Sequence, residues 1–224
     1  SVQEKEMNKC EYCGKSFKRE STLFVHSCEP KRRALQKNEK HVVAGYRAFN
    51  YWYQRALGHK KTKTYEEFST SKYYGWFVRW GTYVLEVRAT NPEAYLQWLI
   101  DNQVRDTGWT KDSTYDKYLA DYSKKETVDR ALERFVKHTE SWATETDNHF
   151  SDYFSKAGFH VIYNDIRLGK ISPWIIFGSN KAQSVIDDFP VEYIKGIADT
   201  IDIPFWRQKI KLYPKDVEFV NSII

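Results

Sequence analysis

The apolar positions of the chain recur mostly at intervals of three and four residues, the spacing that lines one face of an α-helix. Leu35, Val42, Val43, Tyr46, Phe49, Tyr53 and Ala56 follow it, and Pro30 is a good opening residue, so one long helix is expected from there through Leu57. Gly58, with His59-Lys60-Lys61 behind it, is a glycine stop with a basic tail. Thr64 and Glu67 have the spacing of a capping box that opens a short helix. An aromatic-dense helix is expected over 73–89, and Asn91-Pro92 caps another that runs to about Asn102. Further helices are expected at 112–124, 126–145, 147–157 and 158–168. The clearest stripe is Ala131, Leu132, Phe135, Val136 and Trp142. Pro204 and Pro214 stand where two late helices can begin, after Asp202 and before Asp216. Only 104–105 and 171–179 carry strand character, and no fixed-period repeat is visible.

Composition narrows the classes. The chain has 224 residues, 41% of them hydrophobic, enough for a folded core. Its longest apolar runs, such as 174–177, fall far short of the roughly 20 residues of a membrane helix. No signal-type segment opens the sequence, so a membrane protein and a secreted disulfide scaffold are both excluded as expectations. Met7 is the only methionine, and a start there would leave Ser1–Glu6 as an upstream extension. The net charge of +5 is unevenly spread. Residues 14–63 hold 13 Lys or Arg against Glu20, Glu29 and Glu39, a local +10 that leaves −5 for the remainder. Such asymmetry predicts a basic N-terminal arm facing an anionic partner.

All three cysteines lie in the first 28 residues, beside a histidine, a pattern of metal ligation in a reducing compartment. The spacing is Cys10-x2-Cys13-x3-Phe17-x5-Leu23-x2-His26. Two thiolates from a tight knuckle need a residue tolerant of positive φ, which Gly14 supplies. Phe17 and Leu23 supply a minimal core, and His26 projects back from a helix. Through His26 this stretch resembles the two-Cys, two-His zinc-finger family, whose members fold on binding zinc. It departs at the fourth ligand, because Cys28 follows His26 by only two residues. Residues i and i+2 of a helix point about 200° apart, so the helix must end at His26 for Cys28 to bend back. Cys28 is the expected ligand, with His41 or water as the alternatives. The family's base-reading positions fall on Arg19, Thr22 and Val25. Val25 cannot hydrogen-bond a base, so with Phe24 it is expected to pack on the following helix or on a partner protein.

Lys31, Arg32, Arg33, Lys37 and Lys40 follow the finger, and Lys60, Lys61 and Lys63 close the arm. With Lys18 and Arg19 they are the candidate nucleic-acid contacts, low in specificity and sensitive to salt. Arg33, Lys37 and Lys40 would share one face of a continuous helix, while Tyr46, Tyr51, Trp52 and Tyr53 offer rings for stacking bases. An amphipathic helix with cations outward needs no partner at all, and an acidic protein surface is a third possibility. The aromatic group from Tyr73 to Tyr83 reads first as core and second as a binding groove.

No phosphate-binding Gly-rich loop, dinucleotide fingerprint or nucleophile elbow is present, and no small-molecule substrate is evident. His149 beside Asp147 and Asp152, and His160 near Asp165, are the one mixture of nuclease type. They are expected on solvated helical faces, so no catalytic residue is assigned and a non-enzymatic protein is expected. The run from Cys10 to Arg33, with a looser likeness through Tyr53 and at 171–174, is similar to a family of cyanophage-type tailed-bacteriophage proteins. That resemblance implies a phage-encoded protein acting in the host cytoplasm and no particular activity. The expected architecture is mainly α. A flexible stretch, 1–8, precedes a ββα-like zinc finger, 9–29. A basic amphipathic helix and linker, 30–63, then lead into an all-α domain, 64–224. The leading expectation is a zinc protein contacting DNA or RNA as an accessory factor in phage transcription or replication. A protein–protein adaptor or virion-assembly component docking a phage or host protein is the alternative.

Overall fold

The computed structural model describes residues 8–224. The expected flexibility of 1–8 therefore lies, apart from Asn8, outside the described residues. The chain is predominantly α-helical behind a small β-hairpin, as the hydrophobic pattern requires. It divides into two compact units, one ending at Thr110 and the other beginning at Lys111.

In the first unit, β1 (Asn8–Lys9) pairs antiparallel with β2 (Ser16–Phe17), placing Asn8 opposite Phe17. Helices α1 (Glu20–Val25), α2 (Glu29–Leu35), α3 (Lys40–Arg55), α4 (Tyr65–Ser69), α5 (Tyr74–Glu86) and α6 (Pro92–Asp101) follow. The single helix expected from Pro30 to Leu57 is thus two, broken by a turn at 36–39. Between Leu35 and Val42 lie six residues with no apolar side chain other than a histidine's ring to bury, and Asn38 is a weak helix former. Leu35 itself is exposed. The expected capping box is present, with Glu67 N–H donating to Thr64 Oγ1 at 3.2 Å and Thr64 N–H to Glu67 Oε2 at 2.7 Å.

The aromatic segment at 73–89 is largely core: Tyr74, Phe77, Trp80 and Tyr83 are buried with Phe49, Phe68, Tyr95 and Leu99. Helices α3 and α5 cross at two glycines. A Cβ on Gly81 would stand 2.2 Å from the His41 carbonyl oxygen, and one on Gly45 would stand 2.7 Å from that of Phe77. Residues 104–105 form no strand. They leave α6 through Gln103, which has φ +51°, with Val104 N–H donating to the Leu99 carbonyl at 3.0 Å.

The second unit comprises α7 (Asp112–Lys125), α8 (Val128–Thr146), α9 (Tyr153–Lys156), α10 (Phe159–Arg167), α11 (Pro173–Gly178), α12 (Asn180–Ile186), α13 (Val191–Ala198), α14 (Ile203–Leu212) and α15 (Pro214–Ile223). The helix expected over 147–157 is a 3-10 turn at Phe150–Asp152 leading into α9, because Asp147 ends α8 in the left-handed region at φ +55°. The strand expected over 171–179 is helix α11. Ser172 caps it by accepting from Trp174 N–H at 3.3 Å, and Pro173 lies in its first turn. Ile171, Ile175 and Ile176 are all buried there, and an apolar run buried on every side has no period to tell helix from strand. Ala131, Leu132 and Phe135 of α8 join Tyr153, Ile162 and Trp206 in this unit's core. No helix of the described residues is long and apolar enough to cross a membrane.

Candidate metal centre

The two strands and helix α1 bring the three cysteines and the histidine together. Gly14, at φ +73°, turns the chain between the cysteine pair and β2. Its N–H donates to the Cys10 carbonyl at 2.8 Å, while Cys10 N–H donates to the Lys15 carbonyl at 2.8 Å. The knuckle leaves Cys10 buried and Cys13 exposed. Helix α1 stops at Val25, and His26 is extended at φ −64°, ψ 123°. Cys28, also extended, is the N-cap of α2, whose second residue is Pro30. This is the break the His-x-Cys spacing demands.

The ligand atoms of Cys10, Cys13, His26 and Cys28 all lie within 4.8 Å of one another, and His26 Nε2 lies 3.3 Å from Cys13 Sγ. A tetrahedral zinc with sulfurs at about 2.3 Å would separate them by about 3.8 Å, so this set can close on a metal ion with sub-ångström to ångström adjustments. His41 lies elsewhere, at the start of α3, with Nε2 3.4 Å from Glu39 Oε2. The Phe17 ring centroid lies 4.7 Å from that of His26 and backs the imidazole. Lys31 Nζ donates to the His26 carbonyl at 3.1 Å, fixing the exit turn. Backbone N–H of Cys13 foremost, aided by that of Tyr12, holds the Cys10 thiol below its ordinary range despite partial desolvation. Desolvation pushes the Cys28 thiol up, opposed by the Lys31 amide. These residues can hold a metal ion. All four donors come from the chain, as in closed, structural sites.

The cations separate into two kinds. Arg33 is used internally: it pairs with Glu29, donates to the Ser69 carbonyl at 2.6 Å and lies 4.2 Å over the Tyr74 ring. Lys31 is engaged at the finger as described. Lys18, Arg19, Arg32, Lys37, Lys40, Lys60 and Lys61 are exposed, and Lys63 is half-buried. The turn at 36–39 removes the continuous face on which Arg33, Lys37 and Lys40 were expected. Phe24 and Val25, 85% and 75% exposed, do not pack on the following helix, the first of the two covers expected for them.

Hydrogen bonds anchor both ends of the far cluster. Gly58 turns at φ +70°, and His59 N–H donates to the Tyr53 carbonyl at 3.1 Å. Lys63 N–H donates to Asn50 Oδ1 at 2.7 Å, and its carbonyl accepts from the Tyr46 hydroxyl at 2.6 Å. Between these anchors the loop presents Lys60 and Lys61 around a shallow cavity of about 300 Å³, with Glu67 as its acidic member. Of the four rings proposed for stacking, Tyr46 packs against Tyr65 and Phe68, and Tyr51 is hydrogen-bonded to Gln97.

The nuclease-type mixture is not gathered. His149 Nδ1 lies 2.8 Å from Ser151 Oγ, Asp152 pairs with Lys156, and His160 faces Tyr193. Asp165 binds His138 Nε2 at 2.8 Å and the Tyr153 hydroxyl at 2.5 Å, a half-buried network with no sequence spacing to reveal it. Among the described residues, the group of three or more metal-ligating side chains that converge is the finger's. No protein-family model, curated protein or solved structure matches the chain.

Proposed function

We propose that this is a non-enzymatic zinc protein that contacts nucleic acid through basic side chains of its first unit, with little sequence specificity. Three thiol ligands and an imidazole favour zinc, and such a centre serves to fold the finger. The observation that carries the nucleic-acid reading is the loop pinned at both ends by hydrogen bonds, on which Lys60 and Lys61 are exposed. Arg32, Lys37 and Lys40 add exposed charge, whereas Arg33 and Lys31 serve the fold. The likeness at Cys10–Arg33 adds the proposal of a phage-encoded accessory factor in transcription or replication, acting in the host cytoplasm. Zinc-loaded protein titrated with duplex and single-stranded oligonucleotides at about 50 and 200 mM salt tests the reading. Binding that collapses over that range, and is lost on K60E/K61E, is expected; no binding at low salt refutes it.

A second reading rests on Phe24 and Val25, whose exposure on α1 suits a protein-docking adaptor or virion-assembly role. Polar replacement of the two would then abolish partner capture and leave oligonucleotide binding intact.

A further inference from the structure

Beside the lysine loop, aromatic side chains that the core does not fully enclose form a row. The Tyr53 and Trp52 ring centroids are 5.2 Å apart, and those of Trp52 and Tyr73 are 5.0 Å apart. All three residues are half-buried, while Phe49 and Phe77 beneath them are fully buried. The ring planes meet at 87° and 64°, edge to face, so no ring is sandwiched in a parallel stack with its neighbour. Each end of the row carries a cation: Lys63 Nζ lies 5.3 Å from the Tyr53 centroid and Lys72 Nζ lies 5.1 Å from that of Tyr73. His59, from the same loop as Lys60 and Lys61, meets Tyr53 at 5.1 Å.

We infer that this row is a platform for single-stranded nucleic acid, with bases on the rings and phosphates on the flanking lysines; the inference rests on the nucleic-acid reading above. Lys63 Nζ also lies 3.5 Å from Glu67 Oε1 in a partly exposed pair. A lysine over a surface ring or in an exposed ion pair is held by roughly 1 kcal/mol or less, so Lys63 and Lys72 can swing onto phosphates and uncover the tyrosine faces. A duplex hides its base faces and would meet only the cations. A single strand uses both kinds of group, and stacking tolerates any base. The turn at 36–39 points the same way. It breaks up the cationic helix face that would suit a duplex backbone, while the loop and ring row keep charge and aromatic surface side by side.

The test uses the full, zinc-loaded chain with labelled oligothymidylate and oligouridylate of about 20 nucleotides and a duplex of equal length, at low and moderate salt. Both single strands should bind more tightly than duplex, and the tighter of the two identifies DNA or RNA as the source. W52L and Y73L, which keep an apolar side chain but remove the ring, should each weaken single-strand binding by about tenfold and leave duplex binding unchanged. K72E should also weaken it and flatten the salt dependence by about one phosphate contact. Should either leucine variant lose helical content, quenching of the wild-type tryptophan emission by oligothymidylate but not by duplex becomes the deciding readout. Equal binding of both forms, with the leucine variants unaffected, overturns the platform and leaves phosphate contact standing. Competition by polyglutamate equal to that by oligothymidylate also overturns it, in favour of an acidic protein. Absence of all binding removes the underlying reading as well.

Discussion

Gly81 and Gly75 lie on the same helix, α5, and alanine at each should move stability in opposite directions. In a helix interior, Gly→Ala gains up to about 1 kcal/mol from backbone entropy alone. At Gly75, in the first turn of α5, the added Cβ meets only Arg79 Nη1, the far end of a flexible side chain, at 3.7 Å, so G75A should realise part of that gain. At Gly81 the Cβ would lie 2.2 Å from the His41 carbonyl oxygen and 2.9 Å from Gly45 N, both backbone atoms of α3. An ordinary contact begins near 3.4 Å, and overpacking of this kind costs roughly 1–3 kcal/mol, toward the upper end where backbone must move. Net of the propensity gain, G81A should destabilise by about 1–2 kcal/mol. For a unit of this size that lowers the midpoint by roughly 4–8 °C per kcal/mol, read by calorimetry on the transition of the first unit. If G81A raises the midpoint as G75A does, the close crossing of α3 and α5 is wrong. The platform carried by Trp52 and Tyr73, one ring on each side of that crossing, would then lose its geometric basis.

Chelation of the proposed zinc should expose the amides of residues 8–28 to hydrogen exchange while leaving the helical transitions in place, since the finger's apolar core is only Cys10 with half-buried Phe17 and Leu23. R33A should destabilise the first unit by about 1–3 kcal/mol through lost contacts with Tyr74, Glu29 and Ser69, whereas R32A should stay within about 0.5 kcal/mol; urea titration compares them. The Lys124 ammonium 2.8 Å away, and the Phe205 N–H that Asp202 caps, hold the Asp202 carboxyl below the usual carboxylate range. The unfolded chain therefore takes up that proton first. The associated stability of the second unit is full above about pH 4 and drains as pH falls through the lower native value. D202N, which keeps the cap but not the charge, should make acid unfolding less steep in a pH series of melts.

The convergence of Cys10, Cys13, His26 and Cys28 was legible in the sequence because a module of this size leaves the chain few choices. Cys10-x2-Cys13 dictates a knuckle, and His26-x-Cys28 can face one ion only if α1 ends at His26, which it does. Local chemistry likewise specified the Thr64–Glu67 capping box and the Asn91-Pro92 helix start, since both are interactions between residues a few positions apart. What the sequence could not decide depends on partners distant along the chain. Leu35 and Val42 keep a helical period across 36–39, yet the polar run between them turns there, and Arg33 is drawn to Ser69 and Tyr74, far along the chain. The isoleucines of α11 carry no period because they are buried on every side. Which cations face solvent, and which aromatic rings form a row at the rim of the core, follow from the packing of α3 on α5. Composition supplies the charges and rings; only the tertiary arrangement separates those spent on the fold from those left to meet another molecule.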